Sequence, residues 1–266
     1  MPLRVILTGA NGVFGRHIAE GLVAAAYDVI CICRSRGKAD ALVASLLEKF
    51  PTASVRAELC DVADRDQVRD LAQRLAGTPV DILVNNAAVT PEQRSQTSAG
   101  IEQQWACNVL GYYWMLKELG PNLMASQHQP ARVINVASFY AGGLDLSDPE
   151  FKQRPYNPDA AYRASKQANR MQSFAWSERH DPTKIVFFSC HPGVATSPVS
   201  LGLGFDLDRS IQAQRDGAMT PLHLCLSPDV ARHNGQYFAD SAPQPCNFCS
   251  NRADVDKLHA LLEEGP

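Results

Sequence analysis

No apolar run in this chain approaches the roughly 20 residues needed to cross a bilayer. Nor does charge of one sign accumulate: the 266 residues carry a formal net charge of -3, with 20% charged residues. That balance offers nothing to draw in a polyanion or an anionic lipid surface, so no nucleic acid or membrane partner is expected. Internal repeats, low-complexity tracts and linker-like stretches are absent too, and residues 1–266 are expected to form one domain. A strand-like run, Arg4-Val5-Ile6-Leu7-Thr8, begins almost at once and leaves no room for a secretory leader. A soluble, cytoplasmic protein is the expectation.

The eight cysteines lack the loop spacing of a disulfide framework. Cys31, Cys33, Cys107, Cys190 and Cys225 sit inside apolar runs, as expected of free thiols in a reducing compartment. Cys246-Asn247-Phe248-Cys249 is a CxxC, the spacing of half a zinc site or a redox pair. No second CxxC or spaced histidine pair accompanies it, so no metal is expected and the pair reads as free thiols in a C-terminal loop.

What is present is ordinary globular composition, 45% hydrophobic, arranged as an alternation of strand-like and helix-like stretches. Apolar runs at residues 4–8, 29–33, 54–59, 81–84, 132–136 and 184–190 read as strands. Between them, residues 13–26, 38–50, 64–76, 101–124 and 160–180 carry helical spacing, with Asp64 placed to cap one helix. Strands that are continuously apolar, alternating with helices, predict an α/β fold: a single Rossmann-type, doubly wound parallel sheet with helices on both faces. Its crossovers should be right-handed. Two stretches break the rhythm. Residues 141–159 are rich in Gly, Asp and Pro, while Pro192 to Leu207 carries apolar Val199, Leu201, Leu203 and Phe205 and reads as a lid over a pocket.

The first strand runs into Thr8-Gly9-Ala10-Asn11-Gly12-Val13-Phe14-Gly15, where a helix opens. Glycines matter chemically in that context. Gly9 permits a tight turn, Gly12 lets backbone approach a pyrophosphate, and Gly15 allows close helix-strand packing, with helix N–H groups favouring the phosphate charge. The second strand closes on Cys33-Arg34-Ser35-Arg36 without a carboxylate. Arg34 and Arg36 suit a 2'-phosphate, so NADP(H) is favoured over NAD(H). Asp61, after the third strand, is placed either to bind the adenine amino group or to cap the helix that follows.

Tyr162 and Lys166 stand four apart on a predicted helix and share one face. A free phenol has a pKa of about 10, and bringing it to around 7 takes roughly 4 kcal/mol at about 1.36 kcal/mol per unit. One positive charge about 4 Å away in an effective dielectric near 20 supplies about that much. The pair reads as a proton-transfer device.

Taken in order, Thr8 to Gly15, Asp61-Val62, Asn85-Asn86-Ala87-Ala88, Asn108, Ser138, Tyr162 with Lys166, and Pro192-Gly193 resemble the short-chain dehydrogenase/reductase family. Residues 161–169, His191-Pro192-Gly193-Val194 and Asn234-Gly235-Gln236-Tyr237-Phe238 are similar to the retinol dehydrogenase and protochlorophyllide reductase branch. The resemblance implies that Tyr162 exchanges a proton with the substrate oxygen. Lys166 would depress the Tyr162 pKa and bind the nicotinamide ribose, Ser138 would orient the substrate oxygen, and Asn108 would hold a water linking Lys166 to solvent. It also implies cofactor contacts from Val13, Phe14, Val62, Asn86, Ala87, Ala88, Val194 and Thr196. The chain departs from the family pattern in its Gly-x-x-Gly-x-x-Gly spacing, in Ala88 where a glycine is usual, and in the separation of 24 positions from Ser138 to Tyr162.

The implied activity is NADP(H)-dependent interconversion of a carbonyl and an alcohol on a fairly apolar small molecule. Alternatives on the same scaffold are C=C reduction, a pathway-specific tailoring step, or a non-catalytic nucleotide sensor. Family members commonly form homodimers or homotetramers through the helices that here carry Asn108 and Tyr162, though some with inserts are monomers.

Overall fold

Six of the apolar runs become parallel strands of one sheet in the computed structural model, which describes residues 2–265. They are β1 (Arg4–Thr8), β2 (Asp28–Cys33), β3 (Val55–Leu59), β4 (Ile82–Asn85), β5 (Ala131–Val136) and β6 (Ile185–Cys190). β7 (Tyr237–Ala239) pairs parallel with β6, and β8 (Ala242–Gln244) returns antiparallel at the edge. The order across the sheet is β3-β2-β1-β4-β5-β6-β7-β8. The winding reverses between β1 and β4, so their carboxyl ends flank the crevice where open α/β sheets take ligands.

Every residue of β2, β4 and β6 is buried, as expected of strands covered on both faces. Alternation along a strand sends neighbours to opposite cores. In β1, Val5 and Leu7 join one cluster with α1 (Val13–Ala24), α2 (Arg36–Lys49) and α8 (Ile211–Leu226). Ile6 joins the other, with α3 (Arg65–Arg74), α5 (Gly111–Met124), α6 (Pro158–Ser177) and α9 (Arg252–Glu263). Two short helices complete the set, α4 (Gln103–Trp105) and α7 (Pro198–Gly202).

The structure differs from the sequence expectation in instructive places. The helix expected over 101–124 is interrupted: α4 leads into a π-helical turn, Ala106–Leu110, before α5 begins. At the junction, a Cβ on Gly111 would lie 2.6 Å from the Val62 carbonyl oxygen, so the helix passes that loop only as glycine. The expected lid contains α7, tied down by a Thr90 hydroxyl donating to the Val199 carbonyl at 3.1 Å. Elements after residue 207 had no apolar signature strong enough to be expected. Among the described residues no helix is long and apolar enough to cross a membrane, and no group of three or more His, Cys, Asp or Glu could hold a metal ion.

Candidate active site

The glycine turn sits at the reversal point between β1 and β4. Gly9 has φ +62°, and a Cβ there would meet Ala87 Cα at 2.8 Å. A Cβ on Gly15 would stand 2.2 Å from the Gly9 carbonyl oxygen, so α1 can begin this close to β1 only with glycine. The neighbouring strand holds the turn in place. Thr8 Oγ1 accepts from the Asn86 and Ala87 amides at 2.8 and 3.1 Å, and Asn86 Nδ2 donates to the Thr8 and Gly9 carbonyls at 2.9 and 3.1 Å. No side chain caps α1, which starts from Gly12, leaving the first amides of the helix, including Val13 and Phe14, facing outward without a side-chain acceptor. That arrangement fits a pyrophosphate. The Asn11 amide is directed at the Cys33 thiol instead. The Phe14 ring faces the other way, onto Gly217 of α8, where a Cβ would come within 2.0 Å of it.

Arg34 and Arg36 are exposed beyond the end of β2. Arg34 Nη1 lies 3.7 Å from Asp61 Oδ2, a loose surface pair. Asp61 Oδ1 accepts from the Ala63 amide in a local turn, while the capping of α3 falls to Asp64, which accepts from the Asp66 and Gln67 amides. Asp61 is therefore not the helix cap. Its other oxygen faces Arg34 at the rim of the crevice. Val62 is buried under Gly111, and Ala88 is half-buried on the wall beyond Asn86 and Ala87.

Tyr162, Lys166 and Ser138 meet where β5 ends against α6. α6 starts from Asn157, whose side chain accepts from the Ala160 amide at 2.8 Å, and Pro158 opens its first turn. Tyr162 is 9% exposed, Lys166 2% and Ser138 6%. The Ser138 hydroxyl hydrogen-bonds the Tyr162 phenol and accepts from the Tyr140 amide at 3.0 Å. Lys166 Nζ donates to the Val136 carbonyl at 2.8 Å and to Asn169 Oδ1 at 3.4 Å, and lies 5.7 Å from the Tyr162 ring centre. Asn108, fully buried on the π-helical turn, donates to the Val89 carbonyl and accepts from its amide at 3.0 and 2.9 Å. Its own carbonyl accepts from Asn169 Nδ2 at 2.7 Å. The Asn169 amide thus joins the Asn108 carbonyl to Lys166.

Burial governs the protonation of this group. It pushes the Tyr162 phenol up to about 12, against a smaller lowering by the Ser138 hydroxyl. It also draws the Lys166 ammonium down to about 8. The expectation that one ammonium would bring the phenol to around 7 is therefore not met. That argument counted the attraction between the charges and left out the cost of removing both from water. The phenol stands protonated at neutral pH.

On the substrate side, Phe139 is 60% exposed beside Ser138, and its ring meets the His191 ring edge-on at 4.6 Å. His191, Pro192, Gly193 and Val194 line an open pocket with Met219 and Asp240. Gly193 has φ +137° and packs against Gly217 of α8, where a Cβ would come within 2.8 Å of the Gly217 Cα. The Thr196 hydroxyl donates to Asp206 at 3.2 Å and accepts from the Leu207 amide at 2.7 Å, pinning the end of that segment. Exposed Val194, Leu201, Phe205 and Met219 give the rim an apolar character.

Several neighbours of the site lay outside the motifs read from the sequence, Asn85 excepted. The Val136 carbonyl, which also accepts from the Tyr112 hydroxyl at 3.2 Å, is backbone. Arg170, 7% exposed, donates to the Ser138 carbonyl. Asn85, Asn135 and Ser173 form a buried chain, with Asn85 Nδ2 to Asn135 Oδ1 at 3.0 Å and Asn135 Nδ2 to Ser173 Oγ at 3.0 Å. Arg170 was findable in principle, as one turn beyond Lys166 on the same helical face.

Comparison with known proteins points to one family. The family model for short chain dehydrogenases matches residues 4–203. Retinol dehydrogenase 13 of Mus musculus is 30% identical over 260 residues, covering 91% of this chain and 77% of that protein. Dehydrogenase/reductase SDR family member 12 of Bos taurus is 27% identical, covering 97% and 84%. Among solved structures, a protein from Mycobacterium paratuberculosis superposes with a TM-score of 0.78 at 23% identity, over 99% of this chain and 94% of that one. An NADPH-bound carbonyl reductase from chicken fatty liver superposes with a TM-score of 0.66 at 20% identity, over 90% and 96%. At such identities the structures speak to fold alone. With the matching model spanning most of its length, the chain belongs to the short-chain dehydrogenase family, on the side of its retinol dehydrogenases.

Proposed function

We propose that this oxidoreductase uses NADP(H) to interconvert a carbonyl and an alcohol on a fairly apolar small molecule. The observation that carries the reading is the meeting of Ser138, Tyr162 and Lys166 in one buried wall beyond the glycine turn. The cofactor, when bound, supplies or accepts the hydride. Gly9, Gly12 and the free amides at the start of α1 hold its pyrophosphate, with Asn86, Ala87 and Ala88 forming the wall beside it. Arg34 and Arg36 take the 2'-phosphate.

In reduction, the Tyr162 hydroxyl gives its proton to the carbonyl oxygen while the Ser138 hydroxyl orients that oxygen. An ammonium has three donors. Two on Lys166 are engaged by Val136 and Asn169, leaving one for a ribose hydroxyl, and the charge stabilises the phenolate left after transfer. Pro192, Gly193 and Val194 close the nicotinamide end. The apolar rim of Phe139, Leu201 and Phe205 supports an apolar substrate, as does the likeness to retinol dehydrogenases.

Pairing through the α5 and α6 face is disfavoured here, because α9 lies across it. Val255, Leu258 and Leu262 are buried in the same core cluster as Leu110 and Trp176, and Lys117 of α5 pairs with Glu263 at 2.9 Å. A monomer follows, or an assembly through another face.

Mixing the purified protein with NADPH and a panel of aldehydes, ketones and enones tests the reading. Substrate-dependent loss of the reduced-nicotinamide absorbance with carbonyls is expected. Tight NADPH binding without turnover across the panel would instead favour a sensor, and turnover of enones alone a C=C reductase.

A further inference from the structure

Cys246 and Cys249 bracket a single 3-10 turn, Asn247–Cys249, just beyond β8. Their sulfurs already touch, the Cys249 thiol donating to the Cys246 sulfur at 3.1 Å. Both are half-buried, in contrast to the other six cysteines, which are buried. A disulfide has a sulfur separation of about 2.05 Å, so closure asks for roughly 1 Å of approach within one turn.

Beneath the turn lies Arg170 of α6. Its guanidinium stacks on the Tyr237 ring at 3.6 Å and lies 5.5 Å from the ring of Phe248, the residue before Cys249. Its Nε has no hydrogen-bond partner, and no ion pair among the described residues includes it. A buried cation without a counter-charge is costly. Cys246, with Asp240 farther along the same wall, is a neighbour able to supply that charge. The Cys249 S–H and then Arg170 hold the Cys246 thiol below the usual thiol range, while the contact with Cys246 pushes Cys249 up. A thiolate and a thiol in contact are the resting arrangement of an attacking and a resolving cysteine.

The same arginine reaches the active site from below. Arg170 Nη2 donates to the carbonyl of Ser138, and the Cys249 thiol faces the Arg170 carbonyl at 3.9 Å. Phe248 also borders Gly142, in the loop that follows Ser138, where a Cβ would lie 3.9 Å from its ring. Two contacts therefore join the cysteine turn to the serine loop.

We propose that Cys246 and Cys249 form a reversible dithiol-disulfide pair whose state is read at Ser138 through Arg170 and Phe248. The oxidant is a low-molecular-weight disulfide. The Cys246 thiolate attacks one of its sulfurs, breaking that bond and releasing a small thiolate that takes a proton from water. Cys249 then gives up its proton and attacks the Cys246 sulfur of the mixed disulfide, and the second small thiol leaves after protonation. Two electrons pass from the protein to the small disulfide, which ends as two thiols. Excess thiol reverses both steps. Oxidation removes the anion beside Arg170 and draws the turn inward, so the arginine and the Phe248 ring shift against the serine loop.

The effect on catalysis rests on the reductase reading, whereas the thiol chemistry stands apart from it. The full chain is equilibrated in buffers running from reduced to oxidised glutathione, then acid-trapped, and its free thiols are labelled and located by mass spectrometry. Cys246 and Cys249 are expected to lose their labels together, with no such loss at the buried cysteines. Cys246→Ser and Cys249→Ser should each abolish the cross-link. Persistence of both labels in fully oxidised glutathione, with the protein still folded, overturns the pair. The same samples are compared by hydrogen exchange over residues 138–143 and by NADPH-dependent turnover. A change in exchange that dithiothreitol reverses and that both serine variants lack supports the link, as does a change of about twofold or more in kcat or KM. Unchanged exchange in the cross-linked protein overturns the link, whether or not the protein turns over substrate.

Discussion

The Lys166 ammonium donates to the carbonyl of Val136 at 2.8 Å, two residues before Ser138 in the chain. One backbone carbonyl thereby sets the lysine on α6 against the strand end that presents the serine. The two elements of the proposed site are positioned by each other. A lysine fixed in this way can stabilise a phenolate without first having to find its place.

Replacing Tyr162 with Phe removes the proton donor and keeps the ring. Reductive kcat should fall by about 10²- to 10⁴-fold, with NADPH binding and circular dichroism unchanged. Near-normal turnover in that variant would end the proposed mechanism.

The pH profile should be asymmetric between directions. With the phenol pushed up to about 12, Tyr162 stays protonated across the working range and can donate. Lys166 loses its charge above about 8. Reduction should run level from about pH 6 to 8 and decline above, while oxidation, which needs the phenolate, should keep climbing over the same interval. Steady-state kcat measured in both directions checks this, and a reductive limb that already falls below pH 7 contradicts it.

Arg34→Ala and Arg36→Ala should weaken NADPH far more than NADH. A charge-assisted hydrogen bond contributes about 1.5–3 kcal/mol, so KM for NADPH should rise by about 10- to 100-fold. Equal losses for both cofactors would place neither arginine at the 2'-phosphate.

Gly217→Ala puts a methyl 2.0 Å from the Phe14 ring. Overpacking of this kind costs about 1–3 kcal/mol, read as a lower urea midpoint. Weakened NADPH binding should accompany it, because Phe14 belongs to the first turn of α1. Gly37→Ala, with nothing within 4 Å of the new methyl, is the matched control.

Leu258→Asp would set a carboxylate in the core cluster between α9 and α6, where Leu258 is 1% exposed. The full chain should not pair through the α5 and α6 face. The variant should either unfold at lower denaturant or associate through the uncovered α5 and α6 face. Unchanged stability and hydrodynamics would mean that α9 does not guard that face.

The parts of the fold readable from sequence were those where burial on both faces forces a continuous apolar run, as in Val29 to Cys33 and Ile185 to Cys190. The glycine turn and the Tyr162–Lys166 pair were readable because chemistry constrains their spacing. Elsewhere the signal was diluted. α8 carries Gly217 and Pro221 inside it, and β8 is an exposed edge holding Pro243. The break at Ala106–Leu110 stayed hidden inside an apolar stretch that also suits a regular helix. At Tyr162 and Lys166 the spacing put both groups on one buried wall while the energetics went astray, because desolvation depends on the surroundings that the fold supplies.

The seating of Phe14 on Gly217 has a consequence for how the chain comes to be folded. These two residues lie near opposite ends of the sequence, yet the first turn of α1 is braced by α8. During synthesis, the glycine turn leaves the ribosome long before its brace exists. Contacts of such long sequence separation close late and slowly. The bracing of that turn is thus withheld from the nascent chain until α8 has been made.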